Sequence, residues 1–277
     1  MDGMLASTIH PASLLETRRK SKAFRLGFLA LPHPSMTGTL RLIATPIGQL
    51  DDLSPRARQA LEEADLVACE DTRRTGWLLS QLGFKRPLLS LHEHNERHRL
   101  QRVLSLLERG ETVALVSDAG TPLVSDPGFL VVRAAADAGH RVEALPGPSA
   151  GLCALVVSGL PPFPHTFLGF PPPKRGKRQT FFRRYSELGH TLLYFEAPHR
   201  LLKSLGDALE VLGDRPAVVA RELTKTHEEV VRGSLSEILQ DFSSRPSIKG
   251  EFVVVVASAE YSPPKVQDPE DDPTSEE

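Results

Sequence analysis

The sequence predicts an α/β protein of two α/β units, with a parallel sheet in the first and a mixed sheet in the second. Three observations predict it. Between residues 39 and 260, short apolar runs alternate with stretches of helical period. The early helices stop at Gly83, Gly110 and Gly139, residues suited to the left-handed conformation that closes a helix before the next strand. Late in the chain, strand candidates at 217–220 and 229–232 follow one another with no helix between them, so the second sheet is mixed.

In chain order, residues 40–45 read as the first strand. Ser54 and Pro55 then supply an N-cap and a first-turn proline for a helix through Ala64. Strands follow at 66–69, 88–91, 113–117 and 142–145. The Pro-rich passage 160–173 breaks the rhythm and opens a second unit, with strands at 192–195, 217–220, 229–232 and 252–257. A length of 277 residues suits two units at about 150 residues each, and the pattern places them at 39–150 and 151–260.

Composition narrows the function. Hydrophobic residues make up 40% of the chain, which excludes wholesale disorder. Two cysteines, Cys69 and Cys153, provide neither a disulfide framework nor a four-thiolate zinc site. No apolar run is long enough to span a membrane. Residues 1–38 carry net charge +3 and residues 261–277 carry −5, leaving 27 charges of each sign between them. A neutral centre excludes a generally basic nucleic-acid binder, so any such contact needs a local patch. The first 38 residues read as a disordered extension or a misassigned start, since Met36 stands just before the first strand. Arg25 interrupts their apolar stretch and no small-residue cleavage site follows, which disfavours a targeting signal. The Pro-rich, acidic 261–277 reads as a disordered, solvated tail.

The densest chemical signal is the segment Ser117-Asp118-Ala119-Gly120-Thr121-Pro122-Leu123-Val124-Ser125-Asp126-Pro127-Gly128, directly after the fourth strand. In open α/β sheets, ligands sit beyond the carboxyl ends of the strands, and glycines let backbone approach them. Two turns with an Asp cap would use the same residues, but the run is long for that purpose. After the first strand there is no G-x-G-x-x-G, and a Walker-A loop is absent as well. The fifth strand ends in Leu145-Pro146-Gly147-Pro148-Ser149-Ala150, either an ordinary helix start or one whose N–H groups meet a ligand.

Eight strings carry a resemblance: LIATPIG, ACEDTRRTGWLL, LHEHNE, SDAGTPLVSDPG, LPGPSA, YFEAPHRL, ARELTKTHEE and KGEFVVVV, in that order over residues 39–260. Together they resemble the ribosomal RNA small subunit methyltransferase I family, within the tetrapyrrole methylase-like class. The resemblance implies S-adenosylmethionine in a cleft between two α/β domains. It also implies methylation of a cytidine ribose 2′-hydroxyl in small-subunit (16S) ribosomal RNA, a homodimer, and a bacterial, cytoplasmic setting. Carried over by position, it implies cofactor contacts from Pro46, Asp118, Ala119, Gly120, Thr121, Leu123, Val124, Pro148, Ser149, Phe195, Leu223 and Gly250. Phe195 could stack on the cofactor, although an aromatic that ends a buried strand is more often part of the core. Two rival functions are a tetrapyrrole or other small-molecule methylase of the same fold and a catalytically silent RNA-binding assembly factor.

Further polar strings surround these motifs. Glu70-Asp71-Thr72-Arg73 serves either as a salt-bridged helix start or as a site where Arg73 and Arg74 hold an RNA phosphate while Asp71 orients them or the ribose. His92 and His94 suggest a metal pair, but without supporting cysteines or an H-E-x-x-H helix they read as the polar lining of a substrate cleft, and no metal is expected. Lys225 is a base toward a ribose hydroxyl if its pKa falls from about 10.4. Asp71 and Glu222 are its rivals. The local basic patch lies at Lys174, Arg175, Lys177, Arg178, Arg183 and Arg184, beside Phe181, Phe182 and Tyr185. Its charges suit phosphates, and its rings either stack on bases or bury one helix face.

Overall fold

The computed structural model describes residues 37–262. The readings of the segment before residue 37 and of the tail after 262 concern residues outside those described. Among the described residues the first half runs β1 (Thr39–Ile43), α1 (Pro55–Glu63), β2 (Leu66–Cys69), α2 (Thr72–Gln81), β3 (Leu88–Ser90), α3 (Glu96–Glu108), β4 (Thr112–Val116), α4 (Phe129–Asp137) and β5 (Arg141–Leu145). The second runs α5 (Ala150–Ser158), β6 (His165–Phe167), α6 (Arg175–Arg183), β7 (Thr191–Glu196), α7 (Leu201–Leu212), β8 (Pro216–Arg221), β9 (Glu229–Ser234), α8 (Leu235–Ser244) and β10 (Phe252–Val256).

The first sheet has the order β3-β2-β4-β1-β5, and every pairing in it is parallel. Side chains alternate between its faces. Ile43, Val67, Cys69, Ala114 and Val116 pack under Ala57, Leu61 and Leu79 of α1 and α2. Leu40, Leu66, Ala68, Val113 and Leu115 meet Val103, Leu107, Val131 and Ala135 of α3 and α4 on the other face. Ser54 caps α1 as its sequence predicts, accepting from the Ala57 N–H, with Pro55 in the first turn.

This layering locates a crevice. The neighbouring strands β1 and β4 feed helices on opposite faces, so the loops after them diverge at a topological switch point, where α/β sheets place ligands. The strand β1 ends two residues earlier than expected. Thr45 instead exchanges backbone hydrogen bonds with Gly120, each 2.9 Å, which pins the two loops together.

The second sheet has the order β6-β7-β10-β8-β9. It is mixed: β6 pairs parallel to β7 and the other pairs are antiparallel. Helices α6, α7 and α8 cover one face through Phe182, Leu201, Leu205, Ile238 and Phe242. The other face, with Leu193, Val218, Ala220, Val253 and Val255, packs against Ala154 and Leu155 of α5 and against Ile47 from the loop after β1. That last contact joins the two halves. The edge strand β6 lies inside the Pro-rich passage that reads as irregular; three residues with one pairing partner leave no alternation to detect.

Candidate active site

The loop after β4 is braced by polar side chains of its own and of the loop after β1. Ser117 Oγ donates to the Gly120 carbonyl at 2.9 Å, and Thr45 Oγ1 donates to the Ser117 carbonyl at 3.1 Å. Thr121 Oγ1 donates to the Pro148 carbonyl at 3.0 Å, tying the loop to the turn before α5. Leu123 and Ser125 hold φ values of 70° and 71°, a strained conformation for residues with a Cβ and one concentrated at functional sites.

Facing it, the turn after β8 is strained too, with positive φ at Glu222 and Thr224. Two glycines let this turn seat. A Cβ on Gly48 would lie 2.6 Å from both Lys225 Cγ and Thr224 Oγ1, and one on Gly250 would lie 2.7 Å from Glu222 Cγ. The Gln49 N–H donates to Thr224 Oγ1 at 3.2 Å, closing one side of the space between the sheets.

That space is a cleft of about 400 Å³, within the range of small-molecule sites. Asp118, Ala119, Gly120, Thr121 and Val124 form one wall, and Ile47, Phe195, Leu223, Gly250 and Val253 form much of the rest, with Ser149 at the start of α5. Five carboxylate residues line it, Glu70, Asp118, Asp126, Glu196 and Glu251, against one cation, Arg74. Asp118 sits among them with Oδ1 accepting from the Asp71 N–H at 3.1 Å and Oδ2 3.6 Å from Arg74 Nη1. Burial, and then the charges of Glu70 and Asp118, push Asp126 up to about 7. Burial also raises Glu70.

Comparison with known proteins assigns this architecture. The family model of tetrapyrrole (corrin/porphyrin) methylases matches residues 39–239. A ribosomal RNA small subunit methyltransferase I from Xylella fastidiosa is 49% identical over 81% of this chain and 83% of its own length. A second protein of that name, from Mesorhizobium japonicum, is 45% identical over 85% and 80%. The chain belongs to the ribosomal RNA small subunit methyltransferase I family. Two solved structures share its fold at low identity. A cobalt-precorrin-4 methyltransferase of cobalamin biosynthesis matches with TM-score 0.61 and 18% identity over 83% of this chain and 98% of its own. A diphthine synthase matches with TM-score 0.62 and 15% identity, over 80% and 90%.

Within this member of the methyltransferase I family, nine of the twelve expected cofactor residues line the cleft: Asp118, Ala119, Gly120, Thr121, Val124, Ser149, Phe195, Leu223 and Gly250. Three do not. Pro46 lies on an adjoining groove, Leu123 packs onto the core between the first sheet and α3 and α4, and Pro148 contributes the carbonyl that holds Thr121.

The three expected bases, Asp71, Glu222 and Lys225, are all held by polar partners. Asp71 caps α2 and chelates Arg73, whose hydrogen bonds hold its carboxyl down at about 2. Lys225 Nζ lies 3.0 Å from Glu222 Oε1 and 3.1 Å from Glu251 Oε2. Burial alone would lower it, but these hydrogen bonds outweigh burial and raise it. Glu222 in turn is left below the ordinary range, since bonds from Lys225 and the Glu251 N–H overcome the opposing effect of burial. Each of the three is engaged by an oppositely charged partner.

The basic patch is corrected as well. Arg178 is 3% exposed and grips Asp207 of α7, its Nε 2.7 Å from Oδ2 and Nη1 3.0 Å from the Pro173 carbonyl, so it cannot face RNA. Arg175 is turned to Asp207 and Glu210. Phe182 is buried, and Phe181 and Tyr185 pack on the same core. Lys174, Lys177, Arg183 and Arg184 stay exposed. By contrast Arg73 and Arg74 line two grooves that open from the cleft, one of them shared with His92, Glu93 and His94. Among the described residues no group of three His, Cys, Asp or Glu is arranged for a metal ion. Sequence reasoning passed over Ile47, Phe170, Asp126 and Val253; Asp126 stood in the quoted loop, but its partner Glu70 comes from a different strand end.

Proposed function

We propose that this chain transfers the methyl group of S-adenosylmethionine to the ribose 2′-hydroxyl of a cytidine in small-subunit ribosomal RNA. The observation that carries the reading is the cleft at the β1–β4 switch point, lined by carboxylates and apolar side chains together, in a chain close in sequence to methyltransferases named for that RNA. The residues fit the group. Ile47, Phe195 and Leu223 offer apolar surface for an adenine, while Asp118 and Glu70 suit the positive sulfonium and ammonium groups. Bound there, S-adenosylmethionine supplies a methyl on a sulfur that leaves readily.

The chain's own work is then positioning. Holding an oxygen in line with that methyl contributes roughly 7 to 11 kcal/mol, against about 10² to 10⁴-fold from a general base. Asp126 is the cleft carboxylate whose proton affinity suits taking up the hydroxyl proton near neutral pH. Lys225, Glu222 and Asp71 act as positioning residues, fixing the turn after β8 and the start of α2. Exposed Arg73, Arg74, Lys174, Lys177, Arg183 and Arg184 offer phosphate contacts.

A second copy of the chain completes the proposal. Helix α5 is apolar all round, exposing Leu152 and Val156, and Phe129, Phe163 and Phe167 are exposed too; such a helix is normally covered. Among the described residues no helix is long and apolar enough to cross a membrane, and a ribosomal RNA substrate is consistent with a cytoplasmic enzyme. The test is transfer of labelled methyl to small subunits from cells lacking this protein, mapped by mass. Label in one 2′-O-methylcytidine supports the reading; label on a base, or on a porphyrinoid only, overturns it.

A further inference from the structure

Trp77 is the single tryptophan of the chain and is 62% exposed on α2. An isolated surface aromatic is ordinary, but the position of this one is not. It follows Arg73 by four residues, so the two side chains share a helix face. With Arg73, Arg74 and Lys225 it lines a groove of about 590 Å³. Ile47, Arg74 and Asp118 belong to the wall of that groove and of the cleft alike, so the groove leads to the methyl-transfer site.

The chemistry around Trp77 selects its ligand. Arg73 is 89% exposed and gives Asp71 one edge of its guanidinium, Nε at 3.1 Å and Nη2 at 2.7 Å, which leaves Nη1 for an anion. No other large hydrophobic side chain is exposed among the described residues before Val124. A protein partner would meet an apolar cluster, such as the one on α5; a lone indole beside two guanidinium groups matches a nucleotide, with a flat base and a phosphate. Single strands are bound in this way, by stacking for the base and charge for the backbone.

We infer that Trp77 is the stacking platform for an unpaired base of the RNA, with Arg73 on the phosphate of the same strand, and that this pair delivers the neighbouring ribose into the cleft. The inference rests on the reading of the chain as an RNA methyltransferase. Its test is steady-state kinetics of wild type, Trp77→Ala and Trp77→Phe on small subunits lacking the modification, with S-adenosylmethionine affinity and oligomeric state measured alongside.

Trp77→Ala raises KM for the subunit about tenfold or more, the size of one lost base–aromatic stack. Its kcat and cofactor affinity stay within about twofold of wild type, as removal of uniform binding requires. Trp77→Phe keeps a π-face and recovers most of the loss. An unchanged KM in Trp77→Ala overturns the inference, as does an equal loss in Trp77→Phe, a fall in cofactor affinity, or a change in oligomeric state that makes Trp77 a subunit contact. A wild-type chain that methylates no small subunit overturns the parent reading; an active wild type with an indifferent Trp77→Ala overturns this inference alone.

Discussion

The loop 117–128 and the segment 174–184 look alike as sequence, each a dense run of residues suited to a ligand, and the fold uses them in opposite ways. The loop keeps its charged groups at the cleft because neutral hydroxyls brace it: Ser117 holds Gly120, Thr121 holds the Pro148 carbonyl and Thr45 holds Ser117, and the strain at Leu123 and Ser125 is held in place. The basic segment spends two of its cations on structure, because α7 presents Asp207 and Glu210 to it from 29 to 35 residues further along the chain. Local composition reports what a segment can bind; distant residues decide whether it is free to do so.

The largest effect that would break this contrast is on stability. Arg178→Ala leaves the buried Asp207 with only Arg175 and Gln179 at 3.3 Å on its other oxygen and costs up to about 3 to 5 kcal/mol in urea unfolding. A change below about 1 kcal/mol, the range of an exposed charge, would return Arg178 to the surface patch. Next comes Asp118→Ala, which removes an acceptor from the Asp71 N–H and a carboxylate from the cleft. It lowers kcat/KM by about 10 to 100-fold, through cofactor affinity, as for a lost charged hydrogen bond. Lys225→Ala falls well short of that; the reverse ranking would put the reactive group on the turn after β8.

Asp126 sharpens the comparison through pH. With its carboxyl pushed up to about 7, kcat/KM of the wild type rises with pH through that value, and Asp126→Asn removes the rising limb. The stability effect has the opposite sign. A carboxyl raised from about 3.9 in the unfolded chain stabilises the fold at low pH, and that stability is lost as pH rises through about 7. Asp126→Asn therefore raises Tm at pH 8 and changes it less at pH 5, which scanning calorimetry reads directly. An Asn variant with a wild-type pH profile would leave Asp126 outside the chemistry.

The smallest effect belongs to the surviving patch. Four exposed cations, Lys174, Lys177, Arg183 and Arg184, contribute about −0.7 each, or about −3 together, to the slope of log affinity against log salt on single strands. Alanine at all four removes that part of the slope without altering cofactor affinity. An unchanged slope would assign RNA binding to α2 alone.

Much of the fold was legible because its signals are local. Apolar runs, the Ser54-Pro55 start and the absence of a helix before Glu229 each act over a few residues. The β6 edge strand was not, being three residues long among prolines. In the site, the turn-rich segment 117–128 was legible as a loop, and it is the one that lines the cleft and strains at Leu123 and Ser125. The states of its charged groups did not. Lys225 is held by Glu251, Arg178 is buried against Asp207, and Asp126 is raised by burial and then by Glu70, surroundings that only the folded chain brings together.

The most direct test of the account is a crystal structure of the protein with S-adenosylhomocysteine. It predicts density in the cleft between Gly120 on one side and Phe195 and Leu223 on the other, with Asp118 in contact. The product seated instead in the Trp77 groove, or absent at saturating concentration, would contradict it.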